Sequence, residues 1–266
     1  MLAARSDAFP EVIATPERPG LIAALNAGYD LAEGDVVVAT DDDTAPHPDW
    51  LERIERRFRE DPRLGALGGP DRMVLQDHPP EGIVEIPIGQ VQWFGRVVGN
   101  HHLGAGPVRD VDIVKGANFA IRRAALGARR IDTALRGRGA EHHSEIDLCL
   151  GLKRDGWRLL YDPAIVVDHY EAPRHGGQRE TQMTGAEHRD AIHNQTYTLL
   201  KHLPAGRALV AFLYGLLVGT REEPGLALAL ARYLPGHTAA ANESGLAINT
   251  AARFSALRSW LRWRRR

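Results

Sequence analysis

Three consecutive acids, Asp41, Asp42 and Asp43, directly follow the apolar run from Val36 to Thr40. The run predicts a strand that is buried on both faces, and α/β sheets bind ligands beyond the carboxyl ends of such strands. Because side chains alternate along an extended segment, Asp41 and Asp43 are expected on one side and Asp42 on the other. Two carboxylates on one side suit a hard divalent cation that carries a diphosphate. The alternative for this tripeptide is a solvated acidic turn.

A second acidic pair, Glu145 and Asp147, lies at a predicted helix start. Ser144 is the expected N-cap, and Asp147 three residues later is expected to complete a capping box. Acids are favoured at helix N-termini by the macrodipole, so a structural role is open to either carboxylate. A carboxylate held at such a point is also suited to accept a proton from a hydroxyl group. Considered alone, the pair leaves both roles open.

The segment from Val111 to Arg123 alternates and then turns basic, as a strand that passes a ligand site would. Gly116 within it permits close approach of a ligand to the backbone. Lys115 and Asn118 are polar candidates for contact with that ligand, and ordinary hydrogen bonding in a loop is the alternative for both. His169 stands at the end of a later predicted strand.

Residues 71–112 are rich in glycine and proline and predict irregular loops and short strands around a substrate cleft. His101 and His102 are adjacent within this stretch. Because adjacent side chains on an extended chain point to opposite sides, we do not expect the two histidines to share a metal ion.

Hydrophobic periodicity predicts the elements that hold these residues. Helices are expected at Gly20–Leu31, Pro48–Glu60, Ser144–Gly156, 186–201, 206–218 and 225–234, with a short amphipathic helix in the tail from Ala251. Strands are expected at Glu11–Ala14, Val36–Thr40, Leu64–Gly69, Trp157–Tyr161 and Ala164–Val167, and a flap at His175–Thr184. This alternation of helices and strands indicates an α/β fold.

The composition narrows the class of protein. At 266 residues the chain is long enough for one large α/β domain with a small appendage. Its formal net charge of −1 argues against a nucleic-acid partner, and the single cysteine, Cys149, is typical of a reducing compartment. The longest apolar stretch, Ala208 to Gly219, is shorter than the roughly 20 residues that span a bilayer. We therefore expect a cytoplasmic protein without a signal peptide or a transmembrane helix.

The order and spacing of these segments resemble the family 2 glycosyltransferases of the GT-A fold. The matching segments are Ala23–Gly28, Gly34–Asp35, Asp41–Asp43, Pro48–Glu52, Gly68–Pro70, Lys115–Phe119, Glu145–Leu150 and Gly156–Trp157. The resemblance extends over about Gly20 to Tyr170. It implies a GT-A-like (Rossmann-like) α/β fold, with a mixed, mainly parallel sheet flanked by helices and a C-terminal helical appendage.

The resemblance also implies a reaction. A sugar would pass, with inversion, from a nucleotide-sugar donor to a hydroxyl of a saccharide or lipid-linked acceptor, in bacterial envelope or exopolysaccharide synthesis. Asp41 and Asp43 match the metal-binding DxD element, which holds Mg²⁺ or Mn²⁺ in the family, and His169 matches a further metal or diphosphate contact. The residues expected to contact the donor are Asn26, Asp41, Asp42, Lys115, Gly116 and Asn118.

In the same resemblance, Glu145 matches the acid that deprotonates the acceptor hydroxyl. The family usually has Glu-Asp at the position where this chain has Ser144 and Glu145, so the base would be a glutamate with a longer arm. Asp147 is the second catalytic candidate. A phosphohydrolase with an aspartate nucleophile would need an Asp-x-Asp-x-Thr pattern, and Thr44 comes one position too early for that.

The beginning of the chain departs from the family pattern. Family members carry a first strand, a helix and a second strand that form the nucleotide-base pocket, and this chain is expected to start inside or after that first helix. The expected division is a truncated glycosyltransferase domain at residues 1–172, followed by the flap, helices and basic tail at 173–266. A non-catalytic remnant that binds a sugar nucleotide or a partner is the alternative.

The C-terminal tail is strongly basic. Six arginines and no acid occur from Arg253 to Arg266, with Trp260 and Trp263 among them. The apolar helices before the tail would either pack on the domain as a hairpin or lie on the inner face of the cell membrane. Attraction between arginines and anionic lipid favours the peripheral membrane contact.

Overall fold

The computed structural model describes residues 16–74, 86–104, 106–137, 141–170, 184–231 and 243–266. The strand expected at Glu11–Ala14 and all but the last residue of the flap expected at His175–Thr184 lie outside these ranges. The described elements up to residue 110 are α1 (Leu21–Leu31), β1 (Val36–Thr40), β2 (Thr44–Pro46), α2 (Trp50–Glu60), β3 (Leu64–Gly68), β4 (Asp71–Met73), β5 (Gln90–Val91), β6 (Val97–Val98), a 3₁₀ turn (His101–Leu103) and β7 (Arg109–Asp110).

The second part of the chain contains most of the helices. Its elements are β8 (Asn118–Arg122), α3 (Arg123–Leu126), α4 (Ser144–Arg154), β9 (Arg158–Tyr161), β10 (Val167–His169), α5 (Gly185–His202), α6 (Ala205–Leu217), α7 (Leu226–Ala231) and α8 (Glu243–Trp263). Every predicted helix is present with ends within a few residues of the prediction, and α8 begins before the predicted Ala251. None of the helices in the described ranges is long and apolar enough to cross a bilayer.

The start of α4 differs from the expectation. Its N-cap is His143, which lies in the left-handed region at φ 67°, and Ser144 is the first helical residue. The capping box predicted for Ser144 and Asp147 is wrong, because no side-chain hydrogen bond caps this end. The other end agrees with the prediction, since Gly156 has a φ of 89° and its N–H donates to the carbonyl of Lys153 at 3.0 Å.

The described strands form a five-stranded sheet in the order β1-β8-β3-β9-β7. Within it, β3 pairs with β9 in parallel, and the other three described pairings are antiparallel. The sheet is therefore mixed, as expected, but not mainly parallel over the described residues, because β8 returns between β1 and β3 and runs against both. Among these strands β1 lies at an edge, so its residues Val36–Ala39 are half-buried and not covered on both faces as predicted.

The helices after residue 184 share one hydrophobic core with this sheet. Tyr197 of α5, Ala211 of α6 and Ala256 of α8 belong to the same buried cluster as Phe119 and Leu159 of the strands. The partly buried rings of the two tail tryptophans, Trp260 and Trp263, pack against that cluster. Burial of this surface stabilises the C-terminal helices on the sheet.

The Gly-Gly-Pro segment after β3 is a place of close backbone contact. The carbonyl of Gly68 accepts from the N–H of Asp162 at 2.9 Å, and the carbonyl of Pro70 accepts from that of Val167 at 3.0 Å. A Cβ atom at Gly69 would collide with the carbonyl oxygens of Ile165 and Asp162. The missing side chain at Gly69 thus lets the turn before β10 lie against the chain that leads into β4.

We expect Gly69→Ala to lower the free energy of unfolding by roughly 1–3 kcal/mol, because both colliding atoms belong to backbone that cannot move aside. Urea denaturation followed by circular dichroism measures the change. Gly28→Ala is the matched control, since a Cβ there meets no atom within 4 Å and alanine suits the interior of α1. Equal stability of Gly69→Ala and the unmodified chain would contradict the contact.

Candidate active site

A three-stranded sheet of β2, β10 and β4 assembles the candidate site. In the antiparallel pairing of β2 with β10, His169 lies opposite Thr44, and the N–H of Tyr170 donates to the carbonyl of Asp43 at 2.7 Å. In the parallel pairing of β10 with β4, Val167 lies opposite Asp71. The register of β10 therefore sets the positions of one histidine and two acids that are remote in sequence.

Asp41, Asp43 and His169 form a cluster with the geometry of a metal site. Each offers one ligand atom, and these atoms all lie within 4.8 Å of one another. The Nε2 atom of His169 is 3.0 Å from Oδ1 of Asp43. Asp42 is exposed and not part of the cluster, so Asp41 and Asp43 share one side as predicted, but the three acids lie in a turn and not in an extended segment. Two carboxylate oxygens and one imidazole nitrogen fit a divalent cation such as Mn²⁺.

Behind His169 lies a carboxylate that sequence reasoning missed. Asp71 is completely buried, forms an ion pair with Lys115, and has Oδ2 at 3.8 Å from Nδ1 of His169, which is longer than a hydrogen bond. The pKa of His169 is raised, first by its interaction with Asp71 and then by the charges of Asp43 and Asp41, against the opposing effect of burial. A carboxylate behind the ring is the usual partner of a metal-binding histidine, because it fixes the tautomer and the orientation of the ring.

Burial alone would raise the pKa of Asp71, but His169 and Lys115 outweigh it and lower that pKa. The buried carboxylate is therefore charged at neutral pH. Lys115, a predicted donor contact, reaches the cluster through this ion pair with Asp71. The sequence signal that could have identified Asp71 is its position directly after Gly-Gly-Pro at a strand start.

The aspartate turn is tied to the segment that contains Lys115. The hydroxyl and the N–H of Thr44 donate to the carbonyl of Asp41 at 2.8 and 3.3 Å, which closes the turn. The hydroxyl of Thr40 donates to the carbonyl of Ala117 at 3.0 Å. A Cβ at Gly116 would meet nothing within 4 Å among the described atoms, so there is open space beside this predicted donor contact.

Two predicted donor contacts have a structural role. Asn118 is buried, donates to the carbonyls of Pro70 and Ile165 at 3.1 and 2.7 Å, and accepts from Nε1 of Trp50 at 3.0 Å. Asn26 donates to the carbonyl of Ile131 and accepts from its N–H, both at 2.9 Å. Both amides are engaged with groups of the protein, so we do not retain them as donor contacts. The sequence alone cannot show this, because their partners are mostly backbone groups of distant segments.

Glu145 lies one helical turn before Cys149 on α4. The Sγ atom of Cys149 accepts from the N–H of Val114 at 3.4 Å, and Val114 directly precedes Lys115. The face of α4 that contains Glu145 and Cys149 therefore packs against the segment around Lys115. That segment is hydrogen-bonded to the aspartate turn through Ala117 and Thr40. Glu145 is half-buried and forms no hydrogen bond or ion pair within the described ranges.

The other acids near the start of α4 are engaged. Glu141 accepts a hydrogen bond from the N–H of Ile22 at 3.2 Å, at the first turn of α1. Asp147 is buried and accepts from Nε2 of His202 at 2.7 Å, from Nζ of Lys201 at 2.9 Å and from a backbone N–H at 3.0 Å. Burial would raise the pKa of Asp147, but His202 and Lys201 lower it to about 2. The structure therefore gives Asp147 a positioning role between α4 and α5, and not the catalytic role that we expected.

The two adjacent histidines, His101 and His102, lie in different surroundings. His101 is buried, and its Nε2 lies 3.0 Å from the carbonyl of Ile113. His102 is exposed. His101 therefore serves the packing of its loop, where its own carbonyl also accepts from the hydroxyl of Tyr161 at 2.7 Å.

Comparison with known proteins finds similarity to glycosyltransferases. Residues 2–100 match the model described as glycosyl transferase family 2. This segment, 99 of the 266 residues, is therefore similar to glycosyltransferase family 2. Over 158 residues the chain is 26% identical to the glucosyl-dolichyl phosphate glucuronosyltransferase of Haloferax volcanii. This match covers 58% of this chain and 48% of that protein. The chain thus spans about half the length of this curated relative.

The fold is confirmed by a solved structure. The crystal structure of GalNAc-T7 with UDP, GalNAc and Mn²⁺ matches this chain with a TM-score of 0.52 at 16% sequence identity. The match covers 74% of this chain and 37% of that one. It supports the GT-A architecture expected from the sequence, with its mixed sheet flanked by helices.

We expect Asp43→Asn and His169→Ala each to weaken Mn²⁺ binding at least about tenfold, because the first removes the negative charge of one ligand and the second removes a ligand atom. Electron paramagnetic resonance of free Mn²⁺ measures the affinity. Asp42→Asn is the matched control, since it removes the same charge from the exposed aspartate of the turn. Unchanged affinity in Asp43→Asn would show that the cluster is not the metal site.

Proposed function

We propose that this chain is a metal-assisted glycosyltransferase that moves a sugar, with inversion, from a nucleotide-sugar donor to an acceptor hydroxyl. The observation that carries the proposal is the cluster of Asp41, Asp43 and His169, together with Glu145 on the neighbouring α4, which forms no hydrogen bond or ion pair with the part of the chain that the structure describes. The family match supports the reaction class. The GalNAc-T7 structure contains both UDP and Mn²⁺, which supports a nucleoside diphosphate and a divalent cation as ligands of this fold.

In this proposal Asp41, Asp43 and His169 hold Mg²⁺ or Mn²⁺. The cation supplies stabilisation of the negative charge that develops on the leaving diphosphate. Asp71 orients the His169 ring from behind, and Lys115 keeps Asp71 charged. The remaining donor-side candidates are Asp42, which is exposed, and Gly116, which has open space beside it.

Glu145 is proposed as the general base. As the acceptor oxygen bonds to the anomeric carbon and the bond to the diphosphate breaks, Glu145 takes the proton of the attacking hydroxyl. Attack from the side opposite the leaving group inverts the anomeric centre. Of the acids at the start of α4, Glu141 and Asp147 are hydrogen-bonded elsewhere, which leaves Glu145 as the carboxylate able to accept this proton.

For the acceptor we propose a lipid-linked saccharide in envelope or exopolysaccharide synthesis. The Haloferax volcanii relative is named for glucosyl-dolichyl phosphate. An exposed apolar face on α6 and α7 supports a peripheral position at a membrane. Its members, each at least 43% exposed, are Leu209, Leu213, Leu217, Val218, Leu226 and Leu230.

A basic and apolar stripe of α8 adjoins that face. The ring of Phe212 on α6 contacts the ring of Phe254 on α8 with centroids 5.9 Å apart. Arg258 and Leu261 follow Phe254 at helical spacing, and all three are exposed. Leucines beside arginines suit a bilayer that contains anionic lipid. The tail tryptophans do not add to this surface, because they pack against the core.

We expect Glu145→Gln to lower kcat by about 10²- to 10⁴-fold while Mn²⁺-dependent binding of the donor stays nearly intact, because the amide cannot accept the proton. The measurement is release of nucleoside diphosphate from a panel of sugar nucleotides, paired with calorimetry. Turnover retained in Glu145→Gln would remove Glu145 from this role. Donor binding without turnover in the unmodified chain would favour the non-catalytic remnant.

Asp147→Asn is the comparison variant for that experiment. This substitution removes a charge from the same turn of α4. Unlike the carboxylate of Glu145, the carboxylate of Asp147 is buried against Lys201 and His202. We expect it to lower the melting temperature, whereas Glu145→Gln leaves the melting temperature unchanged.

We expect simultaneous Leu209→Gln, Leu213→Gln and Leu217→Gln to weaken binding to vesicles of phosphatidylglycerol and phosphatidylcholine at least about tenfold, because the face loses apolar contact with lipid. Co-sedimentation with the vesicles measures binding. The matched control replaces three exposed leucines of α1 and α2, namely Leu21, Leu31 and Leu51. Equal loss in both triple variants would refute the α6 face as the contact.

A further inference from the structure

Four arginines converge where α5, α8 and the loop before α4 meet. We call them the arginine cluster, and its members are Arg136 of the loop, Arg189 of α5, and Arg258 and Arg262 of α8. Arg136 is half-buried, and the three others are exposed. The cluster is therefore open to solvent and to a ligand.

Two polar side chains fix this junction. Asn194 of α5 accepts from the N–H of Arg136 and donates to its carbonyl, both at 2.7 Å. The hydroxyl of Ser259 on α8 lies 3.1 Å from Nε2 of His193 and accepts from Nη2 of Arg262 at 3.3 Å. Arg189 lies one turn before His193 on α5, and Arg258 lies one turn before Arg262 on α8, so these three arginines face the same junction.

The positive charges of the cluster are poorly balanced. The pKa of Arg136 is lowered, first by partial burial and then by the charges of Arg262, Arg189 and Arg258, and Asp190 opposes this. Positive charges that lie close together repel one another unless an anion lies between them.

Several arginines outside the cluster have carboxylate partners. Arg57 pairs with Asp162 at 2.8 Å, and Arg158 pairs with Asp61 at 2.6 Å. By contrast, the side chains of the four cluster members form no ion pair with any acid in the described ranges. The cluster therefore offers guanidinium groups to an external anion.

The cluster adjoins the segment that leads into α4. Asn194 also donates to the carbonyl of His142 at 3.0 Å, so it holds both ends of the 136–142 segment. That segment leads into α4, where Glu145 is the proposed base. On α8 the cluster adjoins the exposed apolar residues Phe254 and Leu261.

We propose that the arginine cluster binds a phosphate group of the acceptor. The planar guanidinium groups donate paired hydrogen bonds that match phosphate oxygens, and four of them suit one phosphate or diphosphate. The phosphate would come from a lipid-linked saccharide or from a soluble phosphate ester. The identification as an acceptor rests on the proposed function, whereas phosphate binding itself is measured without any transfer.

The test is calorimetric titration of the full chain at low salt with farnesyl phosphate and with phenyl phosphate. EDTA is present so that phosphate bound through the metal cluster does not contribute. We expect R189Q/R258Q to bind the preferred probe at least tenfold more weakly than the unmodified chain. R189K/R258K should recover part of the loss, because lysine keeps the charge but not the paired donors.

R56Q/R63Q is the matched control, since it removes two exposed positive charges far from the junction and should leave binding within twofold. Tighter binding of farnesyl phosphate supports a lipid source, and equal binding of both probes supports a soluble source. Absence of binding by the unmodified chain, or equal binding by both double glutamine variants, would overturn the site. Neither result would bear on turnover, so the Glu145→Gln experiment remains an independent test of the transferase.

Discussion

The pairing of β10 with β2 on one side and β4 on the other is the interaction on which the candidate site depends. It places His169 between Asp43, at 3.0 Å, and Asp71, at 3.8 Å, although His169 is 126 positions from Asp43 and 98 from Asp71 in sequence. A shift of one residue in this register would turn the imidazole to the opposite face of the small sheet. Both acids would then lose their shared partner, and the buried charge of Asp71 would be left with Lys115 alone.

A second constraint comes from α5. Lys201 of this helix holds Asp147 on α4, and Asn194 holds the loop that leads into α4. Tyr197 lies between them and donates to Asp132 at 2.8 Å. The C-terminal helices, which the sequence suggested as an appendage, therefore hold α4 and the loop before it, and they share the hydrophobic core of the sheet.

Local patterns were sufficient to predict much of this molecule. The alternation of Asp41 and Asp43 and the strand-end position of His169 led to the three residues that the structure gathers, and the helices followed from periodicity. The features that could not be predicted depend on partners that are distant in sequence. The strand order, the charge of buried Asp71 and the full hydrogen bonding of Asn118 all arise from segments that meet only in the folded chain. A sequence pattern shows which polar groups are available but not which of them the fold itself uses.

The contact between Cys149 and Val114 has a chemical consequence. Burial raises the pKa of this thiol to about 12, and the hydrogen bond from Val114 only partly offsets that effect. Alkylating reagents and peroxides attack the thiolate, so Cys149 is protected from both as long as α4 stays in place. The rate at which such a reagent labels the sulfur would therefore report how often the helix that carries Glu145 separates from the sheet.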